Sequence, residues 1–175
     1  LVAKHAFFPF IHRAMNKRKY RKVYDSNTDE VINNGLREKY TKKREIYYAN
    51  HLDSNIYSFY SQKLSLLYEI ELKKRNLQRV VTAYRYIQHP KKKRGMNNVD
   101  FAEEVFTFIR KKDKEKLMAI TFDIKSFFDN LNHKRIKATW KKLLGCEELP
   151  SDHYNVFRNI TKFSYVEIYD LFDEF

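Results

Sequence analysis

Cysteine occurs once in the 175 residues, at Cys146, and a single thiol builds no disulfide framework. Such a chain is expected in a reducing compartment, and the cytoplasm is the default. Glycine is almost as scarce, with three residues. They supply no G-x-G-x-x-G or P-loop, which excludes nucleotide binding by that route. No apolar run approaches the roughly 18 residues of a spanning helix, and no membrane partner is expected. The opening LVAKHAFFPFIHRAM is interrupted by charges and histidines, so it is not expected to act as a signal peptide. Internal repeats and low-complexity tracts are lacking too.

What the chain has is aromatic and basic. Thirteen Tyr and fourteen Phe within a 43% hydrophobic composition argue for packed helices with some sheet. Thirty-five Lys and Arg oppose 22 Asp and Glu, for a net charge of +13. That bias speaks of partners, and polyanions are the obvious ones. The plainer alternatives are a protein that is merely basic, or one that lies on a membrane surface. The chain starts at Leu1 and stops at YDLFDEF, and the expectation is a piece of a longer protein.

Residues 1–40 form a basic and aromatic arm whose densest cluster is KRKYRK (17–22). Either this is a solvated charge run, or it tracks phosphates with Tyr20 and Tyr24 as stacking partners. DSNTDE (25–30) reads as a turn or helix start. TKKREIYYA (41–49) has the alternation of a short strand. In HLDSNIYSFYSQKLSLLYEIELKK (51–74), Ile56, Tyr60, Leu64 and Leu67 recur at helical spacing, with Asp53 or Ser54 as candidate N-cap. Pro90, the run Lys91 to Arg94 and Gly95 make a strongly positive loop. Asn97 or Asn98 then caps a helix with Phe101, Val105, Phe108 and Ile109 on one face. KDKEK (112–116) reads as a charged turn.

LMAITFDI (117–124) reads as a strand with Met118, Ile120, Phe122 and Ile124 on one face and Asp123 on the other. A helix from Asn132 to Gly145 carries the stripe Ile136, Trp140, Leu143 and Leu144, and a last helix spans Ser151 to about Thr161. An Asp at a strand end often caps the following turn. Here it also stands beside Phe127 and Phe128 in a basic chain, which points to a carboxylate presented at a sheet edge against a hydrophobic wall.

FDIKSFFDNLNHKRI resembles the first catalytic motif of bacterial reverse transcriptases, the group that includes intron, retron and phage-defence enzymes. That motif runs Asp-Ile-Lys-x-Phe-Phe-Asp-x-Ile/Leu-x-His after a palm strand, and residues 123–133 follow it nearly throughout. Upstream, KKREIYYA resembles a fingers segment and HLDSNIYSFYSQKLSLLYE the helix after it. AYRYIQHPKKKRGMNNVDFAEEVFTFI occupies the place between fingers and palm, and its wording leans toward the defence-associated branch. The resemblance covers about residues 41 to 145.

The resemblance implies an α+β fold: an arm (1–40), helical fingers (41–116) and the start of a polymerase palm (117–175) whose small antiparallel sheet begins at 117–124. It implies RNA-directed DNA polymerisation by two-metal nucleotidyl transfer. Asp123 is then the catalytic metal ligand, assisted by the Ile124 backbone carbonyl, for two Mg²⁺ ions or Mn²⁺ in their place. Arg44, with Lys43 and Lys42 beside it, stands where the fingers contact the triphosphate, and a guanidinium engages two phosphate oxygens at once. Phe128 matches the steric-gate position that favours deoxynucleotides. Phe127 is expected in the core, Asp129 as a cap, and His133 at the start of the next helix. Lys17, Arg18, Lys19, Arg21, Lys22, Lys91, Lys92, Lys93 and Arg94 are expected to line a nucleic-acid groove.

Implied partners are an RNA template, a DNA product and deoxynucleotides, with a dedicated non-coding RNA or further domains of the same protein as additions. One departure stands out. The family's second acidic pair is missing, and Asp170 and Asp173 do not have its arrangement. The pair is expected beyond residue 175, so the piece alone is expected to be inactive. The alternatives are a non-catalytic RNA-binding module on the same scaffold, and an untemplated or RNA-synthesising polymerase.

Overall fold

Alternation between charged and aromatic residues is what TKKREIYYA offers, and strand β2 (Arg37–Tyr48) contains all of it but Ala49. Its partner is the basic arm: β1 (Phe10–Lys22) pairs with β2 antiparallel over twelve positions, from Ile11 opposite Tyr48 to Lys22 opposite Arg37. The computed structural model describes residues 1–24, 27, 37–112, 116–124 and 126–172. The turn expected at 25–30, most of the charged turn at 112–116, Lys125 and Asp173 lie outside the described residues.

Two compact units divide the chain, Leu1–Tyr60 with Leu149–Phe175, and Ser61–Glu148. The boundary expected between residues 40 and 41 falls inside β2. In the first unit the sheet order is β2-β1-β3, where β3 (Tyr165–Glu167) runs parallel to β1 and the β1–β2 pair is antiparallel. The sheet is therefore mixed: β1 comes from the arm, β2 runs across the arm's end, and β3 comes from residues 165–167. Among the described residues, the small antiparallel sheet expected to begin at 117–124 is not formed. Residues 117–124 carry the alternation of a strand, yet their backbone bonds to no other described residue, and an unpaired strand has no ladder to hold it.

Helices follow local signals more faithfully. α1 (His51–Lys74) buries Asp53, Tyr60 and Leu72 along one stripe and half-buries Ile56, Leu64 and Leu67 between them. Its first turn is capped by Asn50, whose Oδ1 accepts from Leu52 N at 2.9 Å. Neither Asp53 nor Ser54 is the cap. Asp53 turns inward, where it accepts from Phe8 N at 2.8 Å and meets His5 Nε2 at 2.6 Å. α4 (Ser151–Thr161) packs Val156, Phe157 and His153 into the first unit. There the Tyr60 hydroxyl donates to Asp152 at 2.6 Å, and burial, with that bond, pushes it up to about 12.

In the second unit, α2 (Asn98–Lys111) opens with a capping box. Asn97 accepts from Val99 N and Asp100 N, while Asp100 accepts from Asn97 N. The expected stripe is only partly covered, because Val105 and Phe108 are exposed while Phe101 and Ile109 are half-buried. α3 (His133–Leu144) is capped by Asn132, begins at His133, buries Trp140 and ends at Gly145, whose φ of 67° is a left-handed C-cap. Arg85 holds the segment after α1 by a two-pronged pair with Glu69, both bonds at 2.6 Å. Among the described residues, no helix is long and apolar enough to cross a membrane.

Candidate nucleic-acid interface and acidic motif

Pairing in register puts side chains of the two strands on common faces. One face of the ribbon carries Arg13, Lys17, Lys19 and Arg21 of β1 with Arg44 and Lys42 of β2. The other carries Arg18 and Lys22 with Lys43, Lys39 and Arg37. The expected arm cluster 17–22 and the expected triphosphate cluster Lys42, Lys43 and Arg44 are thus brought onto one hairpin. From Met15 outward every residue of β1 is exposed, and so is every residue of β2 up to Glu45. Eleven basic and two acidic residues occupy the two strands, which is nine of the chain's thirteen net positive charges.

The ribbon has a defined base. His12 is buried and faces two carboxylates, Glu167 through Nδ1 at 2.7 Å and Glu45 through Nε2 at 2.6 Å. Both ring nitrogens must donate, so the imidazolium is the form that fits. The Glu167 bond, with Glu45 in support, raises His12 above the ordinary histidine value. Glu45 also accepts from Lys43 at 2.8 Å, and that bond together with the one from His12 holds it below the usual carboxylate range. Rings of Tyr47 and Tyr165 flank His12 at 4.7 and 5.3 Å. Sequence reasoning missed this trio, and no local signal exists for contacts 33 and 155 residues apart.

The tetrabasic loop belongs to the second unit. It is closed by Met96 N donating to Ile87 O at 2.7 Å and His89 N donating to Arg94 O at 2.9 Å. Gln88 donates its carboxamide to Lys92 O and Arg94 O from within. Lys91, Lys92 and Lys93 are exposed. Arg94 is engaged within the loop and helix start, its guanidinium forking onto Asp100 at 2.6 and 2.9 Å. Those bonds hold Asp100 far below the usual carboxylate range. Asp100 was missed as a site residue, although its place three after the Asn97 cap signals it.

The acidic motif lies in the same second unit. Asp123 and Ile124 are exposed on chain without regular structure. Ser126 has φ 50°, the left-handed region, and it turns the chain into a short 3-10 segment, Phe128–Asn130. Phe127 is exposed, not in the core, and its ring stands edge-on to that of Phe128 at 5.3 Å. Phe128 also meets the Tyr84 ring at 5.8 Å. Phe127 and Ile124 flank a cleft of about 570 Å³ walled by Leu64, Ile136, Trp140 and Leu143. Asp129 lies in the 3-10 segment and is exposed, and so is Asp170.

No protein-family model matches the chain, and no curated protein matches it. The family resemblance rests on the residues themselves. For a hard cation, the Asp123 carboxylate and the Ile124 carbonyl have suitable donor chemistry. They make part of a ligand set only: among the described residues, no group of three or more His, Cys, Asp or Glu stands together to hold a metal ion.

Proposed function

We propose that the chain is the fingers and early palm of an RNA-directed DNA polymerase, with Asp123 as its first metal-binding carboxylate. The observation that carries the reading is the exposed Asp123 side chain directly upstream of the Phe127–Phe128 turn and the Asn132-capped helix α3, in the order of the reverse-transcriptase motif. Asp123, with the Ile124 carbonyl, would hold Mg²⁺, which when bound neutralises charge for in-line nucleotidyl transfer. Phe128 presents an exposed ring five residues on, able to exclude a 2′-hydroxyl. Arg44 and Lys42 offer cations to a triphosphate, and Lys43 is partly neutralised by Glu45. The exposed Lys91 to Lys93 loop would contribute cations to the template and product strands. Such a palm requires a further acidic pair outside residues 1–175. A cytoplasmic place and a role in phage defence belong to the same proposal.

Primer extension on an RNA template by the natural protein containing this chain tests the reading. Asp123→Asn is expected to keep folding and nucleic-acid affinity while lowering deoxynucleotide incorporation by about a thousandfold or more, roughly 4 kcal/mol of barrier. Undiminished incorporation by the variant would refute it. A second reading, a non-catalytic RNA-binding module, is favoured by the ribbon, which concentrates positive charge without involving any residue of the acidic motif. It requires tight, salt-sensitive RNA binding with no synthesis at any Mg²⁺ concentration.

A further inference from the structure

The β1–β2 ribbon is charged on both faces, and this is an unusual way to spend cations. A ribbon lying on a phosphate surface needs one basic face and turns the other to solvent. Here one face carries Arg13, Lys17, Lys19, Arg21, Lys42 and Arg44, and the opposite face Arg18, Lys22, Arg37, Lys39 and Lys43. Two like-charge pairs are set directly across the strands, Lys17 against Lys42 and Lys22 against Arg37, and one opposite pair, Arg21 against Glu38, so the balance works against pairing. Among the described residues, Lys43 is the one Lys or Arg of the ribbon in an ion pair, beside the His12 pairs at its base. A two-stranded ribbon exposed on both faces is marginal by itself. The missing counter-charge must come from both sides at once.

We propose that the ribbon seats in the major groove of a B-form DNA duplex, with a phosphate rail along each face. Such a groove is about 12 Å wide and admits a two-stranded ribbon. Twelve paired positions at about 3.4 Å each span about 40 Å, just over one duplex turn of about 34 Å. A-form RNA is a poor host, because its major groove is deep and narrow. Single strands bind on runs of stacking rings, and the projecting part of the ribbon offers only two separate tyrosines on opposite faces. Beyond its base the aromatic residues are Tyr20 on one face and Tyr40 on the other, and Arg21 already covers the Tyr40 ring at 4.1 Å. The base is fixed by His12 with Glu45 and Glu167, which gives the projecting part a rigid root. This inference goes beyond the proposed function, since it gives the ribbon a DNA duplex apart from the RNA template, and it does not depend on polymerase activity.

The test is fluorescence anisotropy with the full chain and three labelled probes of equal length: a 20-base-pair DNA duplex, its single strand, and the matching RNA duplex. Two triple variants divide the faces, Lys17→Ser with Lys19→Ser and Lys42→Ser, and Arg18→Ser with Lys22→Ser and Lys39→Ser. Each removes repulsion from the ribbon, and circular dichroism confirms that it folds. Groove seating predicts the DNA duplex as the tightest probe. It also predicts that each triple lowers affinity by about tenfold or more and reduces the salt slope by about three. Tighter binding of single strand or RNA duplex, or a triple without effect on either face, overturns the proposal. Asp123→Asn binds the duplex like the wild type if the ribbon is the site, whatever the outcome for synthesis.

Discussion

His12 is where single-residue chemistry decides the most. Both of its nitrogens face carboxylates, so the folded sheet prefers the charged ring. Because its folded value is raised, the stabilisation is whole below about pH 6.5 and is lost as pH climbs through that raised value. Glu45 is lowered, so its share is whole above about pH 4.5 and lost as pH falls through the lowered value. The base of the sheet is thus tightest at mildly acidic pH. NMR titration of the His12 imidazole is expected to give a midpoint above 6.5, and His12→Gln to flatten the alkaline limb of a pH–Tm profile. A midpoint at or below 6.5 contradicts the geometry. Asn97→Ala makes a separate case: it removes the side-chain acceptor of the α2 cap and is expected to cost about 1 kcal/mol in denaturant unfolding. Asn97 and Asn132 were legible because a cap and its helix are neighbours in sequence. Asp53 was misjudged as a cap because its real partners, His5 and Phe8, lie 48 and 45 residues away.

Among the elements, helices α1 to α4 declared themselves through periodicity, the Asn97 and Asn132 caps and the Gly145 stop, all local. Strands did not. β2 shows alternation, but β1 was hidden because charge on both its faces erases the period of two that marks a half-buried strand. The segment 117–124 erred in the opposite direction: it has the period and lacks a partner among the described residues. The cross-strand charge conflict yields a prediction with opposite signs. Lys17→Glu, set against Lys42, is expected to stabilise the ribbon by about 0.5 kcal/mol, read as slower amide exchange in β1 and β2. The same substitution is expected to weaken nucleic-acid binding. Loss of both stability and affinity would mean that the ribbon is not under self-repulsion.

Across the whole molecule, positive charge is not spread evenly. The ribbon takes nine of the thirteen net charges, and the remaining residues are close to balance. The charge excess seen in the composition therefore has an address. The string at 123–133 that resembles a polymerase motif is made of neighbours in sequence, whereas the sheet expected before it is not formed among the described residues, since a sheet needs chain distant in sequence to pair with. The most direct measurement follows a labelled primer annealed to RNA as Mg²⁺ is added, with wild type and Asp123→Asn of the natural protein side by side. A ladder of added deoxynucleotides for wild type alone, with equal primer–template binding by both, is the expected result. Equal ladders from the two proteins, or firm binding without any extension by wild type, would contradict a polymerase built on Asp123.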